Sequence, residues 1–79
     1  MGSLPSDCNE KFEVNASGKT AQEAKANALA SANNICAKVL GKKCSVAEEV
    51  GSGKVETAAD GTLIYFSTYT CPKKEKLEL

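Results

Sequence analysis

The sequence predicts an α+β domain in which one long helix packs on a small, mainly antiparallel sheet in β-α-β-β order, the second strand bent enough to count as two. Three features carry that expectation. The stretch Thr20 to Gly41 repeats its apolar residues at helical spacing, the segments around it read as strands, and Asp60-Gly61 is a hairpin signal ahead of the last strand.

In the helix, Ala21, Ala24, Ala28, Ala32, Ile35 and Val39 recur every three or four residues, with Leu29, Cys36 and Leu40 widening the stripe. Gln22, Lys25, Asn33 and Lys38 lie on other faces. The start is signed by a capping box, Thr20 and Glu23, whose side chains satisfy backbone N–H groups left free by the first turn. Gly41 marks the stop, followed by Lys42 and Lys43 near the negative end of the helix dipole.

Residues 1–9 read as an N-terminal tether, 10–72 as a single domain and 73–79 as a charged C-terminal tail. Phe12, Val14 and Ala16 alternate with Lys11, Glu13 and Asn15 as a half-buried strand. After the helix, Cys44 to Val50 is a second strand, interrupted at Gly51-Ser52-Gly53 and resumed from Lys54 to Ala58. A glycine pair inside a strand marks a bulge or bend more often than an end. The last strand, Thr62 to Cys71, is densest in β-branched and aromatic residues, and Pro72 closes it.

A two-residue turn at Asp60-Gly61 sets Ala58 opposite Leu63 and puts Val55 and Thr57 on the face of Ile64 and Phe66. That face is expected to take the helix. The other face, with Leu63, Tyr65 and Tyr69, is left as an open contact surface for a protein partner or for self-association.

Seventy-nine residues bury only about 60% of the surface of the unfolded chain, and alanines add little area, so the core is thin. Cys8, Cys36, Cys44 and Cys71 are the expected staples. The strand directions gather all four at one end. Cys8 with Cys71 and Cys36 with Cys44 is the preferred pairing, and a Cys36 to Cys71 link is the next choice. Disulfides imply an oxidising compartment, so the domain is expected to be secreted or periplasmic. Met1 to Pro5 lacks the apolar core of a signal peptide and looks like an expression start; Leu77 to Leu79 resembles a vector remnant.

Ten basic and ten acidic residues cancel, which leaves no field to gather nucleic acid, and no apolar run is long enough for membrane insertion. With no histidine and no CxxC pair, neither a metal site nor a Ser-His or Cys-His couple is expected, and no cofactor is implied. Ser17-Gly18-Lys19-Thr20 has the ending of a phosphate-binding loop, but Glu13 stands where that motif needs its first glycine. Glu48 and Glu49 are neighbours on a strand, point to opposite faces and form a solvated edge rather than an acid–base pair. The expectation is therefore a small, exported, disulfide-stabilised, non-enzymatic binding module.

The strand-helix-strand-strand order, with its bent second strand, resembles the dodecin-like subunit over residues 11–70. That resemblance implies an oligomeric small-ligand carrier, without flavin, because the flavin-stacking tryptophan has no counterpart here. A long helix crossing an antiparallel sheet also looks like the cystatins and implies a secreted inhibitor of cysteine proteases. Of their Gln-x-Val-x-Gly hairpin, the segment Glu48 to Ser52 keeps only Val50.

Overall fold

The computed structural model describes residues 5–73, the side chain of Lys42 excepted. Strand β1 (Lys11–Gly18) leads to helix α1 (Ala21–Ile35), which continues through a π turn (Cys36–Leu40) and a short 3-10 turn (Gly41–Lys43). Strands β2 (Glu48–Thr57) and β3 (Leu63–Thr70) follow. The sheet is ordered β1-β3-β2, both pairings antiparallel, with β3 in the centre. The α+β class and the element order are those the sequence predicts.

The capping box forms as expected. Glu23 donates its backbone N–H to the Thr20 hydroxyl at 3.0 Å, and its carboxylate accepts the Lys19 N–H at 2.7 Å. The buried stripe is narrower than the spacing suggested: Ala24, Ala28, Ala32 and Cys36, four residues apart, are shut from solvent, while Ala21, Leu29 and Val39 are exposed. A line of alanines lets the helix lie low over β1 and β3 while barely touching β2.

Several expectations are corrected. The hairpin loop holds three residues, Ala59, Asp60 and Gly61, because Thr57 rather than Ala58 faces Leu63. The Gly61 N–H closes the turn on the Ala58 carbonyl at 3.0 Å, Gly61 takes φ 92°, and the Asp60 carboxylate accepts the Thr62 N–H at 2.9 Å. A one-residue slip exchanges the faces of a strand. Val55 therefore joins Tyr65, not Ile64, and the helix lies on the face of Tyr65 and Tyr69.

Leu63, Tyr65 and Tyr69 thus do not form an open surface. Tyr65 is buried, Tyr69 is 1% exposed and Leu63 is half-buried at the same helix-side face, whereas Phe66 is 36% exposed on the opposite one.

The disulfides join Cys8 to Cys44 and Cys36 to Cys71. All four cysteines are bridged as expected, but the preferred pairing is overturned and the second choice, Cys36 to Cys71, is present. Two geometric facts explain this. With Lys11 opposite Thr70, extending the β1–β3 register sets Glu10, not Cys8, beside Cys71. Cys36 is the last member of the buried helix stripe and meets Cys71 on the helix-side face, where both are within 2% of full burial. Cys44, which pairs with Lys73 in an isolated bridge, is left for Cys8.

The segment from Cys44 to Ala47 is also not strand. Its N–H groups go elsewhere, Ser45 to the Pro72 carbonyl at 2.7 Å and Ala47 to the Asn33 side chain at 2.8 Å. Residues 5–9 are tied down too: Asn9 donates its N–H to the Cys71 carbonyl at 2.9 Å, and Glu10 accepts the Ser6 N–H at 2.6 Å. The tether's first four residues and the tail beyond Lys73 lie outside the described residues.

Candidate functional site

Two surfaces of the sheet remain uncovered. The first is a groove on the helix side, where α1 stops short of β2. Gln22, Lys25, Ala26 and Leu29 form its helix wall, and Ala47, Glu48, Glu49 and Tyr69 line the sheet side, enclosing about 460 Å³. Lys25 stands close enough to Glu49 to favour its charged form.

Beside this groove sits a polar cluster that the sequence did not reveal. Glu49, expected as a solvated edge, turns to the helix side and accepts hydrogen bonds from the Tyr65 hydroxyl and, at 2.5 Å, from the Ser67 hydroxyl. Glu48 points to the other face, so the expected divergence of the two carboxylates holds. The cluster depends on Gly53, because a Cβ there would overlap the Tyr65 hydroxyl and ring. β2 is continuous through this point but bulged, Val50 facing Thr68 and Lys54 facing Phe66, so Gly51, Ser52 and Gly53 share the space opposite Ser67.

The Ser67 and Tyr65 hydrogen bonds hold the Glu49 carboxyl below the usual carboxylate range, and the same carboxylate raises the Tyr65 phenol. Burial, reinforced by the Glu49 charge, raises Tyr69. A carboxyl whose folded value is depressed contributes stability above its unfolded value near 4.5, and loses that contribution as pH falls through the folded value. Glu49→Gln is expected to cost about 1 kcal/mol at pH 7, given the partial exposure of the group, with the difference from wild type closing toward pH 3. Urea unfolding at both pH values checks this; an equal deficit at both would show that the charge is not what the hydroxyls stabilise.

The second uncovered surface is the outer face of the sheet. Its register sets four rows across β1, β3 and β2: Lys11–Thr70–Glu48, Glu13–Thr68–Val50, Asn15–Phe66–Lys54 and Ser17–Ile64–Glu56. The centre is apolar or threonine, and the two edges are polar or charged except for Val50 on β2. Nothing among the described residues covers it.

At the start of α1 the Lys19 N–H is engaged with the Glu23 carboxylate and the Glu23 N–H with the Thr20 hydroxyl. Among the described residues no three His, Cys, Asp or Glu gather to hold a metal ion, and no helix is long and apolar enough to cross a membrane.

The fold and its bridges define the class: a small α+β domain stabilised by two interlaced disulfides. No family model matches the chain, and neither the curated proteins nor the solved structures contain a significant match.

Proposed function

We propose that this is an exported, non-enzymatic module that binds protein through its outer sheet face, centred on Phe66 and Ile64. The observation that carries the reading is the row pattern: a large aromatic 36% exposed in the central strand, beside a half-buried isoleucine and between edges that are mostly polar or charged, with no described element over it. Apolar centre with polar rim is the anatomy of a contact surface. The bridges favour an oxidising compartment, secreted or periplasmic. Reading the module as non-enzymatic draws on the absence of histidine and on the lowered Glu49 carboxyl, which makes a poor general base for the hydroxyls beside it.

The double variant Ile64→Ser/Phe66→Ser tests the face. Any protein retained by the immobilised native domain, its own copies included, should bind the variant at least about tenfold more weakly, as loss of a buried phenylalanine implies, while the far-ultraviolet circular dichroism stays unchanged. Undiminished binding overturns the assignment.

The protease-inhibitor alternative now rests on the Ala59–Gly61 turn, because Gly51 to Gly53 lies within β2 rather than in a loop. A panel of cysteine proteases separates the two, since the binding module leaves their rates untouched. The dodecin-like carrier calls for free thiols, and the described cysteines have none.

A further inference from the structure

We propose that the partner of the outer face is a second copy of the chain, stacked face to face about a two-fold axis that runs parallel to β3. The inference rests on the outer face being the contact surface and adds its occupant and orientation. Identical faces can stack about a two-fold lying in the interface plane, either along the strands or across them.

An axis along β3 lays the β1 edge of one copy over the β2 edge of the other, row for row. Phe66 then meets Phe66, and Ile64 meets Ile64. At the edges Lys11 falls over Glu48, twice by symmetry. Glu13 falls over Val50, Lys54 over Asn15 and Glu56 over Ser17, so no like charges face each other.

An axis across the strands reverses the rows. Centred between the Thr68 and Phe66 rows, it sets Glu48 against Glu56 twice along the β2 edge and moves Phe66 onto Thr68. The first arrangement matches Phe66 with Phe66, Ile64 with Ile64 and Lys11 with Glu48, its one mismatch being Glu13 over Val50, whereas the second opposes like charges.

Size sets the strength. Eight residues of β3 at ~3.3 Å each and three strands ~4.8 Å apart give a footprint of about 400 Å² per copy, roughly half that of a standard interface. The dimer is therefore transient and visible only at high concentration.

Sedimentation equilibrium of the oxidised protein from about 10 µM to about 1 mM reads it directly, with circular dichroism as the folding control. The average mass should climb above the 8.3 kDa monomer. Lys11→Glu, which faces two glutamates against each other at each end, should weaken association about fivefold or more, and Lys11→Glu/Glu48→Lys should restore it. Phe66→Ser should abolish it.

A wild-type monomer at the highest concentration overturns the inference and leaves the outer face for a different protein. Association lost in Phe66→Ser but indifferent to both charge variants also overturns it, since the copies then meet in another orientation. Association that survives Phe66→Ser overturns both the inference and the reading of the face.

Discussion

Replacing Cys36 and Cys71 together by alanine is expected to remove a large share of the domain's stability at 25 °C. The bridge closes a segment of 35 residues, and by loop-closure entropy its loss costs about 4 kcal/mol. A chain of this length has a total stability of roughly 4–12 kcal/mol. Both sulfurs are also in the core, in one cluster with Phe12, Val14, Tyr69 and the helix alanines, so removing them adds the cost of a core cavity. The Cys8–Cys44 bridge spans a similar 36 residues but lies nearer the surface, with Cys8 half-buried. Its double replacement should cost less, by about 1–2 kcal/mol. Urea unfolding of the two double variants tests the ranking. A Cys36→Ala/Cys71→Ala protein within about 1 kcal/mol of wild type would mean that the alanine stripe and sheet hold without the staple.

Much of the fold was legible because it is written locally. Thr20 and Glu23 fix the helix start within four residues of sequence, and the glycines at 51 and 53 announce the bulge in β2. What failed depended on partners distant in the chain. In β3 the alternation sets Ile64 and Phe66 against Tyr65, Ser67 and Tyr69, and the first set is the more apolar. It is nevertheless the one facing solvent.

The more polar set can be buried because Glu49, 16 and 18 residues away, accepts hydrogen bonds from the hydroxyls of Tyr65 and Ser67. Nothing near Tyr65 in the sequence points to that carboxylate. The loop length compounds the error: Asp60-Gly61 suits a two-residue turn, yet Gly61 serves as the third residue of a longer one, and the slip carries Val55 across the sheet. The uncovered face is therefore the one opposite to that of Leu63, Tyr65 and Tyr69. The disulfide pairing failed for a related reason, since the β1–β3 register is two residues away from what a Cys8–Cys71 link needs.

Ala28→Leu is expected to be the most damaging single substitution in the helix, at about 3 kcal/mol. Ala24, Ala28 and Ala32 are fully buried, in one core cluster with Phe12, Val14, Tyr65 and Tyr69, whose rings supply the bulk that the helix does not. Leucine at the middle position has no void to enter, so the helix must lift from the sheet or the rings must leave their places. Ala30→Leu, on the exposed side, changes the same volume without that conflict and should be close to neutral. Thermal unfolding of the pair isolates seating from helix propensity. If Ala28→Leu costs no more than Ala30→Leu, the helix is not held close by its alanines. The same closeness governs what is left open. A helix seated low over β1 and β3 cannot also reach far over β2, and the groove beside Glu49 follows from that narrow contact.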